Sequence, residues 1–331
     1  MGGSALRATV RVPRLPRPDV VTAIPYAYIA ALSLAIYLLE PSLLTGPGAF
    51  DVLATAVVPL ALVAFGQTIA IITRGIDLSV GGVVSTTTAI LATHGGTSGP
   101  TVVGQVVLVV AIGVLAGVIN GLLVAFTPLQ PFIVTLATWS IWGGIAFLVL
   151  PIEGGAPAPE LITWLTGAWL GVPRSVVVVA GLLVAWLWLR STRFLIDVRA
   201  IGSDEARARL VGVPIRMRKI QVYALSGALA AVAGVYLAAQ TGSGAPNAGD
   251  QFILNSVAAV VIGGASIFGG TGSAAGSIVG AAVLILIPDV VFALRLTSFW
   301  SVFLQGFVLV VTVTISSVVI TLRMRRRRGA G

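Results

Sequence analysis

From Leu78 to Ile152 the chain runs for 75 residues without one aspartate, glutamate, lysine or arginine. A stretch that long and that apolar cannot stay dispersed in water, and it is too long to be a single buried core element. Charge-free intervals recur at 20–39, 52–73, 175–189, 220–249, 251–288 and 296–322. A helix needs about 20 apolar residues to cross a hydrocarbon core of roughly 30 Å, so several intervals hold more than one span. Only 9% of residues are charged, against about 25% in ordinary soluble domains, and mean hydropathy is +1.05. These values exclude a water-soluble globule. They point to an all-α, polytopic integral membrane protein, because helices satisfy their own backbone groups where water is absent.

Breaker clusters divide the long intervals. His94 to Pro100, Thr127-Pro128-Leu129-Gln130-Pro131 and Gly269 to Ser273 each interrupt apolar sequence with turn-forming residues. The pattern predicts about ten helices, near 20–39, 53–72, 79–93, 101–125, 132–150, 174–190, 220–240, 252–268, 275–293 and 299–321. The first apolar run continues to Glu40-Pro41, past any small-residue cleavage site, and reads as a retained span. With an inward N-terminus, eighteen of the twenty basic residues fall on the inner side and only Arg174 and Arg295 on the outer. The positive-inside bias therefore predicts two cytoplasmic termini and an even number of spans. The organisation expected is a basic cytoplasmic tail at 1–19, a transmembrane domain at 20–322 and a second basic tail at 323–331. Arg325 to Arg328 reads as a stop-transfer and lipid-headgroup anchor, and no nucleic-acid partner is expected.

Several chemistries are excluded or disfavoured. Cysteine is absent, so disulfides, thiolate metal sites and cysteine nucleophiles are excluded. The single histidine, His94, stands at a predicted helix end beside glycine and reads as a loop residue, so no metal site is expected. The only lysine, Lys219, follows Arg218 rather than glycine, which rules out a phosphate-binding P-loop. No catalytic residues are expected, and the chain reads as a transport component rather than an enzyme. The glycine-rich run 269–276 reads as a tight hairpin rather than a nucleotide loop.

Glycines at 113, 117 and 121, and at 276 and 280, form ridges at helical spacing, a pattern that lets membrane helices approach closely. Polar residues inside the predicted spans are few: Gln67, Asn120, Thr135, Thr138, Asn255 and Ser256. Each is costly in lipid, so each is expected to face the protein interior or a solvated path. No span carries the buried acids expected of an ion-driven carrier. The acids Glu40, Asp51, Glu153, Glu160, Asp250 and Asp289 fall on the predicted outer side, where they either meet a docking partner or merely mark loops that avoid arginine.

The charged residues concentrate in one interior island, 190–219, which holds eight of the twenty basic and three of the eleven acidic residues. From Asp204 to Val211 the pattern predicts a short amphipathic helix, with acids in its first turn and Gly212 and Pro214 ending it. A second local signal is Arg74-Gly75-Ile76-Asp77-Leu78-Ser79-Val80-Gly81-Gly82, a turn expected on the cytoplasmic side. There Gly75 can adopt positive φ, and Asp77 or Ser79 can cap the next helix.

That string resembles the "GGIDLSVG"-like run of ATP-binding cassette (ABC) sugar-import permeases of the ribose/xylose/galactose type, with Arg74 in place of the first glycine. Three further stretches resemble the same family in the same order: Pro131 to Leu136, Gly202 to Val213, and Val260 to Ser273. The resemblance implies a path formed by two permease subunits of about ten helices each, in the bacterial cytoplasmic membrane. It implies two partner ATPases carrying the ATP and magnesium, with no cofactor in this chain, and a periplasmic or lipid-anchored sugar-binding protein. It makes Asp204, Glu205, Ala206, Arg207 and Gly212 an ATPase-coupling segment, although Arg207 stands where the family usually has alanine. Gln67, Asn120, Thr135, Asn255 and Ser256 are the candidates for the translocation path, and Gly75, Asp77, Ser79 and Gly81 form the motif turn. The alternatives are a permease of the same superfamily for branched-chain amino acids or nucleosides, and a secondary transporter or channel.

Overall fold

The computed structural model describes residues 20–94 and 99–328, with side chains for 23–94 and 99–315. Arg7, Arg11, Arg14 and Arg17 of the N-terminal tail, and the arginine side chains of the C-terminal tail, lie outside the described residues. The chain folds as α1 (Val20–Leu39), α2 (Ser42–Thr45), α3 (Ala49–Ile72), α4 (Ser79–Thr93), α5 (Pro100–Phe126), α6 (Pro131–Val149) and α7 (Pro159–Leu165). A two-stranded antiparallel hairpin follows, β1 (Ala168–Trp169) and β2 (Val172–Pro173), with Ala168 opposite Pro173. The order continues with α8 (Arg174–Leu189), α9 (Arg193–Ser203), α10 (Glu205–Leu210), α11 (Ile215–Thr241), α12 (Asp250–Ile262), α13 (Ala274–Ala293) and α14 (Phe299–Arg328).

Five helices, α3, α5, α6, α11 and α13, are each long and apolar enough to cross a membrane. The pair α8 and α9, bent by 75°, makes a sixth if counted as one span, and α1, α4, α12 and α14 carry shorter apolar stretches. The chain is a multi-pass, all-α membrane protein. Its centre is α3, where every residue from Val58 to Ile72 is buried, as expected of a helix apolar on all sides and wrapped by neighbours. The periphery is equally apolar: Val107, Leu108 and Leu115 of α5 are exposed, which suits a surface facing lipid.

The glycine ridges serve as packing surfaces. Gly113, Gly117 and Gly121 of α5 lie against Gly227, Tyr223 and Ile220 of α11, and a Cβ on Gly121 would stand 2.5 Å from the Ile220 Cα. Gly276 and Gly280 of α13 press in the same way on the backbone of Gly263 and Ala259.

The helix predicted at 252–268 stops at Ile262, because Gly263 and Gly264 turn the chain out and Gly264 takes φ 84°. Among the described helices at predicted spans, α4 and α12 are the two shortest. With 15 and 13 residues, α4 and α12 rise only about 22 and 20 Å, less than the roughly 30 Å of hydrocarbon. Their N-terminal turns meet where Gly81 faces Gly249: a Cβ on Gly81 would lie 2.9 Å from the Gly249 carbonyl oxygen, and one on Gly249 would collide with Gly81. From this crossing α4 runs toward Gly155 and Gly244, which pack on Ala92, while α12 runs the other way to Gly263. Hydropathy alone suggested two ordinary spans here. The structure instead shows two short helices, each preceded by irregular chain, at 73–78 and 242–249.

The α5–α11 crossing should be the most sensitive to bulk. Gly227→Leu, whose Cβ collides with the Gly113 carbonyl, should lower the thermal unfolding midpoint of purified protein, with an overpacking cost of about 1–3 kcal/mol. Gly104→Leu on the open side of α5 should change it little, and equal losses at both positions would refute the assigned packing.

Candidate functional site

The four motif stretches, separated in sequence by up to two hundred residues, come together around the chain between α3 and α4. At its start, the Ile72 carbonyl accepts from the Gly270 N–H at 2.9 Å, which brings in the 260–273 stretch. Arg74 brings in the charged island: its Nε donates to the Gly202 carbonyl at 2.7 Å and its Nη2 to the Ser203 carbonyl at 2.7 Å. At Ile76 the carbonyl accepts from the Thr135 hydroxyl at 2.9 Å, which ties in the 131–136 stretch.

Local chemistry explains the turn. Positive φ falls at Arg74 (64°), not at Gly75 as the sequence suggested. A side chain in that left-handed region carries a cost of about 1–2 kcal/mol, and the position is the one where the resembling family has glycine. Arg74 offsets the strain with its two hydrogen bonds to the island, whose geometry suits the planar, forked guanidinium. Gly75 is needed for another reason, since a Cβ there would run into the Tyr223 hydroxyl.

Asp77 lies in the short turn between α3 and α4, as expected, and is fully buried there. Its Oδ1 accepts from the Ser79 backbone N–H at 3.1 Å and from the Ser79 hydroxyl at 2.6 Å, so it caps the start of α4. Behind Ser79 the donors align in one direction. The Thr138 hydroxyl donates to Asn120 Oδ1 at 2.8 Å, and Asn120 Nδ2 donates to the Ser79 Oγ at 2.7 Å. Asp77 Oδ2, the Tyr223 hydroxyl and the Ser226 hydroxyl, all buried on the other side of the turn, have no hydrogen-bond partner among the described residues.

Asn120 and Thr135 thus belong to this junction, together with Asp77, Ser79 and Thr138. The other path candidates sit elsewhere. Gln67 is fully buried in α3 with both amide atoms unpartnered, Ser256 bonds its own helix at the Ile253 carbonyl (3.2 Å), and Asn255 lines a cavity beside α3 and α11. Sequence reading missed Tyr223 and Ser226, which carry no signal beyond being polar residues in the apolar helix α11.

The island forms two helices, α9 and α10, that carry charge where the rest of the fold is apolar. Asp204 caps α10 by accepting from the Arg207 N–H at 3.0 Å, and Gly212 (φ 81°) ends the turn after it, as the sequence predicted. Glu205 pairs with Lys219 at 2.9 Å and Arg209 at 3.6 Å, and Asp197 pairs with Arg218 at 2.7 Å, so α9, α10 and the start of α11 are clamped together. Ala206 and Arg207 are exposed, whereas Ala208 turns inward onto Ile201 and Ile215. Beyond them Leu210 and Val211 are 87% and 78% exposed, an apolar tip on a charged loop.

Residues 49–313 match the family described as branched-chain amino acid transport system, permease component. The chain belongs to this permease family. It is 32% identical over 293 residues to the ribose import permease protein of Bacillus subtilis (strain 168), covering 87% of this chain and 90% of that one. It is 33% identical over 285 residues to the ribose import permease protein of Escherichia coli (strain K12), covering 84% and 88%. A fructose import permease protein of Rhizobium meliloti is 35% identical over 266 residues, covering 77% and 74%. In the permease the junction therefore joins four separate stretches of the family's fold at one turn.

Arg74 provides the test of that junction. Arg74→Gly should relieve the backbone strain while losing two hydrogen bonds worth about 1 kcal/mol each, leaving global stability nearly unchanged. Arg74→Ala keeps the strain and loses the bonds, and should be about 1–2 kcal/mol less stable than Arg74→Gly. In both variants hydrogen exchange should quicken in α9 and α10. Unchanged exchange there would show that Arg74 does not hold the island.

Proposed function

We propose that this permease is the membrane subunit of an ATP-driven sugar importer, moving a monosaccharide or related polyol by alternating access. The observation that carries the reading is the junction itself: a charged helix pair, α9 and α10, hydrogen-bonded through Arg74 to a turn inside the apolar bundle. That arrangement suits a subunit that receives mechanical work from a soluble partner, and the relatives named as ribose and fructose import permeases supply the substrate class. The family description names branched-chain amino acids, which keeps an amino-acid permease as the second reading.

On the proposed reading the chain crosses the bacterial inner membrane ten times, counting α4 and α12 with their irregular segments, and both termini face the cytoplasm. The charge bias supports this orientation, because the island and the terminal arginines then share the inner side. Two copies of the permease, or this chain and a similar one, flank the path. Partner ATPases with bound ATP and magnesium dock on α10, and a periplasmic or lipid-anchored binding protein delivers the sugar to the other face. ATP-driven closure of the ATPases shifts α9 and α10, and the bundle exchanges inner for outer opening.

Two measurements test this. Sugar uptake by proteoliposomes holding the permease with its ATPase and binding protein should require ATP and persist after ion gradients are collapsed. Gradient-driven uptake by the purified chain alone would favour a secondary carrier. Because Glu205 is already engaged within the chain, the docking surface is better probed at the exposed tip. Leu210→Asp with Val211→Asp should leave folding within about 0.5 kcal/mol of wild type, yet abolish ATPase co-purification and uptake. Normal association in that variant would remove α10 and its tip as the docking element.

A further inference from the structure

A cavity of about 190 Å³ lies among α3, α11, α12 and α13. Its polar lining consists of three side-chain amides, Gln240 at the end of α11 and Gln251 and Asn255 on the first turns of α12. Its apolar lining includes Leu60, Leu237 and Phe252. Pro59 of α3 is also in the wall, and because proline has no N–H, the carbonyl of Thr55 four residues earlier loses its helical partner. Gln240 also borders a second, larger cavity of about 400 Å³, lined by Asp51, Thr55 and Thr166 near the opening of α3.

We propose that the 190 Å³ cavity, which opens at the surface where Gln240 and Gln251 are exposed, is a monosaccharide subsite on this chain's side of the path, with the amides of Gln240, Gln251 and Asn255 as its hydrogen-bonding groups. The inference rests on the sugar-import reading and deepens it. Each amide offers two donors and an accepting oxygen, which matches hydroxyls that themselves both donate and accept. Leu60 and Phe252 supply apolar surface for the C–H faces of a sugar ring. No lining residue is ionisable. An amino acid would leave its carboxylate and ammonium without counter-charge there, which is costly in a membrane interior. A cavity of about 190 Å³ has room for one furanose or pyranose ring.

The position fits the role. The cavity sits at the start of α12, one of the two shortest helices at predicted spans, and the chain entering it at 242–249 is irregular. Irregular backbone at membrane depth is tolerated where it is buried in protein or lines a cavity. The larger cavity with its acidic and hydroxyl lining then forms an antechamber on the binding-protein side.

The test uses the complete importer in proteoliposomes, with D-ribose, D-fructose, D-galactose and L-leucine as probes. Asn255→Leu and Gln251→Leu each remove one hydrogen-bonding amide from the cavity with little change of volume. Each should reduce sugar uptake about ten-fold, the loss expected for one hydrogen bond near 1.4 kcal/mol. ATP hydrolysis without sugar should stay at the wild-type rate, as should uptake by the control Gln105→Leu, whose amide is outside the cavity. Since the chain has no cysteine, Asn255→Cys gives a direct readout: the imported sugar, and not leucine, should slow its modification by a thiol reagent. Wild-type sugar uptake retained in both leucine variants would overturn the subsite while leaving the sugar importer standing, as would an equal loss of sugar-free ATP hydrolysis. A wild-type importer that takes up leucine and none of the sugars would overturn the sugar reading and the subsite with it.

Discussion

Chain that leaves helical geometry inside an apolar bundle exposes backbone N–H and C=O groups where little water can reach them, and this permease does so at 73–78 and 242–249. Both interruptions are held by partners from neighbouring elements. At 73–78 the Ile76 carbonyl is met by Thr135, and the Arg74 and Gly75 N–H groups bond back to Ile71 and Ala70. At 242–249 the Gly244 N–H and carbonyl pair with Gly154, the Gly249 N–H reaches the Ser85 hydroxyl, and Thr88 donates to the Ala245 carbonyl. An unmet group would cost several kcal/mol in this setting, so the placement of single serines and threonines decides whether α4 and α12 can begin where they do.

Such satisfaction requires backbones to come very close, and that is why glycine dominates the contact points. Gly202 lies against the Ile72 carbonyl and Gly249 against Gly81, approaches that a Cβ would forbid. The exception is Arg74, which takes a glycine-like conformation and contributes a long, bonded side chain in return. The same turn that breaks a membrane helix is thereby fastened to the charged island.

Much of this was legible in the sequence, because long charge-free intervals, breaker clusters and arginine placement report directly on the bilayer. The short helix of the island and its stop at Gly212 followed from residue chemistry alone, whereas Asp204, read as part of its first turn, proves to be its cap. Depth was not legible. Hydropathy counts apolar residues, and Ser79 to Thr93 is as apolar whether it crosses the core or only half of it. The burial of Asp77 was hidden for a related reason: an aspartate two residues before a serine reads as a surface cap, and only Tyr223 and Ser226 arriving from α11 cover it. Among the polar residues, sequence gave no means to divide Asn120 and Thr135, which build the junction, from Asn255, which lines a cavity.

The two regions are nevertheless joined by one short element. At its C-terminal end α12 runs into the Gly263–Gly264 turn, whose loop returns to place Gly270 on Ile72, next to Arg74. At its N-terminal end α12 carries Gln251 and Asn255. A 13-residue helix is stiff over that length, so on the transport reading a shift of α9 and α10, passed through Arg74 and the 263–273 loop, would reach the amides at its other end. There the contact of Gly249 with Gly81 of α4 turns the shift into a tilt about that point, because glycine contacts pack closely without interlocking side chains. On the transport reading this gives a physical reason for a short helix: both of its ends meet irregular chain, at 242–249 and 263–273, so α12 can tilt as one piece between them.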